Sequence, residues 1–358
     1  MIEELKNIQN KIINSYLSRS IPDRDEFLEI VCESNFMLEN ENNIIRPRDN
    51  DFLPGGLINL KKNIPTLLIP DLHGRADFFI DILFCEDYRK KTVLENLYSD
   101  KIQIVAMGDG MHGESRAAAR WQQAFSEYKT EYRTHDNIDE EMFESLTVMK
   151  SIMIIKNNFP ENFHYIKGNH DNILNEKGNG NYPFAKYSYE GAMVEYFVRK
   201  FYGDIFLREY ARFEKNLPLF CVGKNFLVSH AQPQRNFSAE EIIGYRKNPD
   251  VVTGMTWTDN GAAETGGVDL MIEFYLKNSK LKNKYYFGGH RPVKNLYNIV
   301  QGDNYVQIHN PSKFIIAYLK PESEIDLDND IIEINNNITE IIKQVNPEMR
   351  EYGRQGKI

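Results

Sequence analysis

The sequence is poor in the features that mark secreted and membrane-spanning proteins. It has only three cysteines in 358 residues, Cys32, Cys85 and Cys221. Because they are odd in number and form no CxxC pair, they do not predict a disulfide framework. Their apolar neighbours indicate small buried side chains instead. No run of about 18 apolar residues is present, so the sequence predicts no transmembrane helix.

Positive charge is also scarce. The chain has 43 Lys and Arg against 52 Asp and Glu, which gives a formal net charge of −9. Since nucleic-acid binding requires basic side chains that neutralise phosphates, a nucleic-acid partner is not expected. The first six residues are acidic and amphipathic and lack the basic-then-apolar order of a signal peptide. We therefore expect a cytoplasmic protein with no membrane association.

The hydrophobic pattern separates a central region from two helical ends. Apolar residues follow helical spacing over residues 5–17, and a second helix is predicted over residues 26–37. Pro54-Gly55-Gly56 marks a turn after them. Another amphipathic helix is predicted over residues 332–345. The sequence thus predicts a helical N-terminal extension (1–55), a central catalytic domain (56–320) and a helical C-terminal tail (321–358).

One pattern recurs five times in the central domain. A short apolar run with the composition of a β-strand ends in a polar cluster that contains Asp, Asn or His. Helical patterns lie between several of these runs, which predicts an α/β fold. Because ligand sites in such sheets lie at the carboxyl ends of strands, we expect the five clusters to meet. The apolar runs are residues 66–69, 102–107, 163–166, 225–228 and 284–287.

The side chains that follow these runs are suited to divalent cations. They offer carboxylate, amide and imidazole donors without a thiolate, a set that suits Mn, Fe or Zn. Asp71 and His73 are two residues apart and can chelate one ion, while Asp109 ends the next run and can bridge two. Each residue alone is as consistent with a structural role, but their order along successive strands favours a shared site. The six candidate ligands are Asp71, His73, Asp109, Asn169, His230 and His290.

Together these clusters resemble the ordered signature of the calcineurin-like metallophosphoesterases. Trp257-Thr258-Asp259, and the passage from Phe159 into the cluster at Asn169, are similar to the phosphoprotein phosphatase branch in particular. The resemblance extends over roughly residues 64–320 and excludes both termini. Its motifs are Asp71-Leu72-His73-Gly74, Gly108-Asp109, Gly168-Asn169-His170-Asp171, Ser229-His230 and Gly289-His290.

The resemblance implies a fold and a metal centre. The implied fold is a four-layer αββα sandwich, with helices covering two stacked sheets. The implied cofactors are two divalent metal ions, with Mn favoured over Fe or Zn. Asp71 and His73 are implied to bind one ion, and Asp109 to bridge both. The implied ligands of the other ion are Asn169, His230 and His290.

The resemblance also implies an activity. The implied enzyme is a dimetal phosphatase that hydrolyses phosphate monoesters by direct attack of a metal-bridged hydroxide, as serine/threonine protein phosphatases do. Its partner would be a phosphoprotein or a small phosphate ester. His170 is implied to be the general acid, a role that suits an imidazole titrating near neutral pH. Gly289-His290-Arg291-Pro292 lacks the second histidine of many phosphodiesterases in the family, which disfavours a nuclease.

The sequence departs from the family pattern where phosphate should bind. His112 stands in place of the acid that orients the catalytic histidine, and Gly113 stands in place of a phosphate-binding arginine. Downstream of Trp257 the second such arginine is also missing. Arginine binds phosphate in a bidentate manner, so other arginines should replace the missing pair. The favoured candidates adjoin the metal motifs, and a third lies just beyond: Arg75, Arg291 and Arg116.

Two alternative functions remain open at this point. One is hydrolysis of a phosphoanhydride such as a dinucleoside polyphosphate. The other is a metal-binding pseudo-phosphatase that serves as an interaction module; the missing arginines favour it, whereas the intact ligand set opposes it. An insertion of about residues 114–142 carries Trp121, Tyr128, Tyr132 and His135. It is either a substrate lid or part of the packed core.

Overall fold

Two mixed β-sheets lie at the centre of the structure, a computed structural model that describes residues 2–87, 89–300 and 304–345. The strands are β1 (Leu57–Asn59), β2 (Thr66–Ile69), β3 (Gln103–Ala106), β4 (Phe163–Tyr165), β5 (Phe220–Val222), β6 (Phe226–Ser229), β7 (Tyr285–Gly288), β8 (Asn298–Ile299), β9 (Tyr305–Gln307), β10 (Ile315–Leu319) and β11 (Ile331–Glu333). One sheet has the order β11-β10-β2-β3-β4 and the other β1-β5-β6-β7-β9-β8. Within them, β2, β3 and β4 are parallel, as are β6, β7 and β9.

Helices occupy both outer faces of this pair of sheets. In chain order they are α1 (Ile2–Leu17), α2 (Arg24–Glu39), α3 (Ala76–Phe84), α4 (Val93–Tyr98), α5 (Ala118–Tyr128), α6 (Asp136–Asn158), α7 (Glu190–Phe201), α8 (Gly203–Lys215), α9 (Ala239–Ile243), α10 (Pro249–Thr256), α11 (Gly267–Leu276), α12 (Leu327–Asp330) and α13 (Ile338–Val345). Two short 3-10 helices, Ser115–Ala117 and Tyr245–Lys247, precede α5 and α10. Among the described residues, no helix has the length and apolar character to cross a membrane.

The alternation of side chains along the strands creates the layers. In β2, Leu67 and Ile69 pack with the helices of one face, whereas Leu68 packs into the space between the two sheets. In β6, Leu227 packs with helices α9 to α11, whereas Val228 enters the same inter-sheet core. Side chains of a strand alternate between its two faces, so strands buried on both faces give this helix–sheet–sheet–helix order. The predicted α/β sandwich is confirmed.

The five predicted strands are all present, as β2, β3, β4, β6 and β7. The two predicted N-terminal helices form as α1 and α2. The helix predicted over residues 332–345 was wrong in its first part, because Ile332 lies in β11 and pairs with β10, and α13 begins only at Ile338. Residues 346–358 of the predicted C-terminal tail lie outside the described residues. The boundaries at residues 55 and 320 stay predictions. The expectation that the cysteines are buried was wrong for Cys32, which is exposed on α2, and holds fully only for Cys221. Apolar neighbours in sequence did not predict burial there, because α2 turns that position away from the core.

Candidate metal centre

Five loops, each directly following a strand, bring the predicted ligands to one place. The loops after β2, β3 and β4 come from one sheet, and those after β6 and β7 come from the other. Donor atoms from different loops approach to between 2.9 and 4.0 Å. The structure thus assembles all six predicted residues, which are Asp71, His73, Asp109, Asn169, His230 and His290.

The backbone around the ligands is held in an unusual conformation. His73, Asp109 and His290 all have positive φ, at 44°, 52° and 60°. Non-glycine residues seldom adopt this region, and such strain clusters at functional sites. The flanking glycines permit close approach, since a Cβ on Gly168 would collide with the Asp109 carboxylate and one on Gly289 with the Asp71 carboxylate. Both sheets therefore present their ligands without side chains in between.

Three carboxylates converge on one nitrogen of His73. Its Nδ1 lies 2.9 Å from the main-chain oxygen of His112, so Nδ1 carries the hydrogen and Nε2 keeps its lone pair. That Nε2 atom is 3.8 Å from a carboxylate oxygen of each of Asp71, Asp109 and Glu114. These distances are too long for hydrogen bonds. Several buried acids around a lone pair are unfavourable unless a cation lies between them or one of them is protonated, so the arrangement suggests a cation site.

A second set of donors adjoins the first. The Asn169 Oδ1 atom lies 2.9 Å from His230 Nε2 and 3.0 Å from His290 Nδ1. His230 Nδ1 is 2.7 Å from the main-chain oxygen of Met107, which leaves Nε2 free to act as a donor to a metal. The Asp109 Oδ2 atom is 3.4 Å from His230 Nε2 and 3.8 Å from His73 Nε2. Asp109 therefore faces both sets.

The chemistry of these donors fits divalent metal ions. Oxygen and imidazole ligands without sulfur suit Mn, Fe or Zn. In an octahedral site with bonds of about 2.1 Å, neighbouring ligand atoms lie roughly 3 Å apart, close to the separations around Asn169. Burial and the nearby carboxylates of Asp71 and Asp171 raise the pKa of Asp109. Burial lowers the pKa of His290 to about 3, so its ring is neutral and available as a ligand.

His170 lies beside the centre but lacks the partner that the family pattern supplies. Its Nε2 atom is 3.8 Å from Asp109 Oδ2, and its ring packs against Phe184 with centroids 3.6 Å apart. Within the described residues, its buried Nδ1 atom has no hydrogen-bond partner. His112, in the position of the expected acid, places its ring centroid 5.6 Å away. Burial lowers the pKa of His170, and no carboxylate on Nδ1 counteracts this.

The two predicted phosphate-binding arginines have different surroundings. The Arg75 guanidinium is 6% exposed and donates hydrogen bonds to four main-chain oxygens, which favours a structural role. Arg291 lines the cavity over the metal centre and forms an ion pair with Asp259. Arg116 donates to Glu144 and to the main-chain oxygen of His73. Contact of Arg75 or Arg291 with phosphate stays a prediction.

A cavity of about 310 Å³ opens over the donors. Arg291 and Lys186 are the cationic side chains among its lining residues apart from histidine, and Phe184 and Trp257 supply aromatic surface. Lys186 and Phe184 were not predicted from the sequence, because they lie in a loop between β4 and α7 without a motif of their own. Glu114 and His309 were not predicted either. His309 had a usable signal, because it follows the apolar run of β9 as the other donors follow theirs.

The insertion of residues 114–142 packs into the core and leaves the cavity uncovered. Trp121 is fully buried, stacks on His112 and donates from Nε1 to the main-chain oxygen of Gly113 at 2.9 Å. Tyr132 is 2% exposed and donates to the main-chain oxygen of Met193. Of the two readings of this segment, packing is therefore the one that the structure favours. Glu114, the first residue of the segment, lines the cavity, and Trp121 supports His112 by packing against its ring.

Comparison with known proteins gives a relationship in fold but none in sequence. No family model matches the sequence. No curated protein is detectably similar to it either. Among solved structures, a serine/threonine phosphatase from Saccharomyces cerevisiae, described as similar to human phosphatase PP5, aligns with a TM-score of 0.52 and 16% identity. The alignment covers 91% of this chain and 93% of the yeast chain.

Two weaker matches carry other names. A cold-active protein-tyrosine phosphatase from a psychrophilic Shewanella has a TM-score of 0.45 and 13% identity over 78% of this chain and 80% of its own. The calcineurin-like phosphoesterase YfkN from Bacillus subtilis has a TM-score of 0.24 and 12% identity over 81% and 98%. The yeast structure shows that this chain has a phosphatase-type α/β sandwich fold. The fold implied by the resemblance to calcineurin-like metallophosphoesterases is confirmed.

Proposed function

We propose that this chain is a metal-dependent phosphoesterase that hydrolyses phosphate monoesters. The observation that carries the proposal is the arrangement of two donor sets that share Asp109 at the base of a cavity with two cationic side chains. Asp71 and His73 would hold one divalent ion. The other would be held by Asn169, His230 and His290. Mn is the first candidate for both ions, with Fe or Zn as alternatives.

The side chains of the cavity supply the rest of the chemistry. A bound pair of divalent ions would activate water and neutralise charge on a phosphoryl group. Arg291 and Lys186, at the cavity wall, can bind the phosphate oxygens in place of the family's arginines. His170 lies where a proton could reach the leaving oxygen. Arg75 would keep the loop after β2 in place, because its hydrogen bonds join that loop to the main chain at Asn310 and Lys313.

One feature favours a particular kind of substrate. Among the described residues, the Nδ1 atom of His170 has no carboxylate partner to stabilise its protonated form, and the residue in the position of the expected acid is His112, whose ring lies nearby. Substrates whose leaving group needs little protonation would then react best. Aryl phosphates, and phosphoanhydrides such as dinucleoside polyphosphates, belong to this class. Hydrolysis of a phosphoanhydride is accordingly the second candidate function, ahead of cleavage of alkyl phosphates on serine or threonine.

A substrate panel tests the proposal. The purified chain, freed of metal and reloaded with Mn, Zn, Fe or Mg, would be assayed on nitrophenyl phosphate, phosphoserine and phosphotyrosine peptides, and a dinucleoside polyphosphate. We expect hydrolysis only in the presence of metal, with higher kcat/KM on substrates with good leaving groups. Arg291→Ala and Lys186→Ala should raise KM more than they lower kcat, because both would act in binding.

Three outcomes separate the candidates. Preference for the dinucleotide over every monoester would make the phosphoanhydride reaction the function. Tight metal binding without hydrolysis of any substrate would support the pseudo-phosphatase interpretation. Equal hydrolysis with and without metal would contradict the proposal itself.

A further inference from the structure

The metal centre contains more donors than the six that the family signature implies. Glu114 directly follows Gly113, which stands in place of a phosphate-binding arginine, and His309 lies two residues after β9. A carboxylate oxygen of Asp71 and one ring nitrogen each of His73 and His309 all lie within 4.8 Å of one another. Glu114 approaches the same place, with Oε1 at 3.8 Å from His73 Nε2. Neither residue belongs to the motifs that carry the resemblance.

His309 is a fully buried imidazole beside the first donor set. It has no exposed surface, and its ring centroid is 5.5 Å from that of His73. Its Nε2 atom lies 3.0 Å from Glu114 Oε2, whereas its Nδ1 atom has no hydrogen-bond partner among the described residues. A buried ring nitrogen without a partner costs free energy unless something else occupies its lone pair.

Glu114 adds a third acid to a site that already has two. One of its carboxylate oxygens faces His73 and the other faces His309. A purely structural pair of histidine and glutamate would explain the second contact but would not explain why the first oxygen joins Asp71 and Asp109 around one nitrogen. A cation among these three acids would explain the first contact.

We propose that Glu114 and His309 complete the first metal site, so that it has a carboxylate and an imidazole beyond Asp71, His73 and Asp109. The inference rests on the proposed metal-dependent function and adds two ligand residues to it. With three carboxylates, this site would favour a hard, oxygen-preferring ion such as Mn over Zn. The second site, with an amide and two imidazoles besides the shared Asp109, would be the less selective of the two.

The test measures metal binding, so it does not depend on turnover. Glu114→Gln and His309→Gln keep side-chain size and hydrogen bonding but remove a strong ligand. Metal content after dialysis, by elemental analysis, and Mn affinity, by competition with a chelator, would be measured for each. We expect one of the two ions to bind at least about 10–100-fold more weakly, because loss of a residue that merely supports a metal ligand already has that effect. In the cobalt(II)-loaded protein, the d–d absorption spectrum should change in both variants.

Matched controls remove the same groups elsewhere. Glu144→Gln removes a nearby carboxylate that pairs with Arg116 and Arg120, and His164→Gln removes a buried imidazole of β4. Both should bind two ions as the wild type does. If His309→Gln does not fold, Glu114→Gln alone decides, because Glu114 is partly exposed.

The outcomes distinguish this inference from the proposed function. Wild-type stoichiometry, Mn affinity and cobalt spectrum in both variants would overturn the inference and leave the phosphoesterase proposal intact. If the variants bind the first ion more weakly but the wild-type protein hydrolyses no phosphate ester, the inference would be supported and the proposed activity contradicted.

Discussion

Two clusters of buried charged side chains differ in how completely their hydrogen bonds and ion pairs are formed within the protein. In the first, which we call the structural cluster, Glu41 accepts hydrogen bonds from Arg46 at 2.7 Å and Lys156 at 2.5 Å. Lys156 also donates hydrogen bonds to the main-chain oxygens of Pro160 and Phe163, at 2.8 and 3.1 Å. The charged groups of Glu41, Arg46 and Lys156 thus find hydrogen-bond partners within the protein. It joins the loop after α2 to the end of α6.

The metal centre is as deeply buried but is not complete by itself. Asp71 and Asp109 lie 3.4 to 4.0 Å from the nitrogens of His73 and His230. A third carboxylate, that of Glu114, joins them around His73 Nε2 at 3.8 Å. In a region of low dielectric, such an arrangement is unfavourable without a cation. The comparison shows that burial of charge does not identify a functional site. What identifies it is burial of charge whose partners are missing from the protein itself.

Asp109→Asn should have the largest effect of any substitution that we consider, because Asp109 faces both donor sets. We expect loss of activity and a reduction in both bound ions, measured by elemental analysis. The metal-free variant should nevertheless be at least as stable to urea as the metal-free wild type, since the substitution removes a charge from an uncompensated group. Full activity with two bound ions would contradict the shared-ligand arrangement.

The sequence predicted most of this centre because its donors follow apolar runs that had to be strands. Asp71 and Asn169 are examples, and the parallel order of β2, β3 and β4 brings such positions to one edge. The sequence could not predict which long-range contacts the remaining charges make. Arg75 looked available for phosphate because it adjoins a ligand motif, yet main-chain oxygens distant in sequence surround it. Lys186 had no motif and was recognisable only from its place in the cavity.

The insertion illustrates the same limit. Composition alone could not decide between a lid and packing for Trp121, because an aromatic side chain serves either purpose. The decision depends on α5 lying against α6 and on the partner of the indole, the main-chain oxygen of Gly113. The ion pair between Glu41 and Lys156 could not be predicted either, because the two residues are 115 positions apart in the sequence. Tertiary contacts at such separations leave no pattern in a single sequence.

His170→Asn should have the next largest effect. If His170 donates the proton to the leaving oxygen, kcat should fall by about 10²–10⁴ on alkyl phosphates while both ions remain bound. On nitrophenyl phosphate the loss should be much smaller, because that leaving group needs no proton. Steady-state kinetics on both substrates, with metal analysis of the same preparations, provides the measurement.

A second variant separates proton transfer from positioning. His112→Asp would restore a carboxylate beside His170 and should raise kcat on alkyl phosphates, with little change on nitrophenyl phosphate. Its melting temperature and metal content serve as controls, since His112 is buried against Trp121. Equal losses on both substrates in His170→Asn would instead assign His170 to positioning of the substrate.

The structural cluster should make the stability of the metal-free protein depend on pH. Burial opposes ionisation of Glu41, but Lys156 and Arg46 outweigh it and lower the pKa of this carboxyl from 4.5 to about 2. A depressed folded-state pKa stabilises the protein above the unfolded-state value and loses that contribution as pH falls towards the folded-state value. We therefore expect roughly 3 kcal/mol to be lost between about pH 5 and pH 2 from this group. Urea unfolding at several pH values would measure this loss.

Glu41→Gln should be less stable than the wild type at pH 7 and should flatten this part of the pH profile. Glu322→Gln, at an exposed ion pair with Lys224, should change neither the stability nor the profile. A wild-type profile with the same slope as that of Glu41→Gln would show that the cluster is not the source of acid sensitivity.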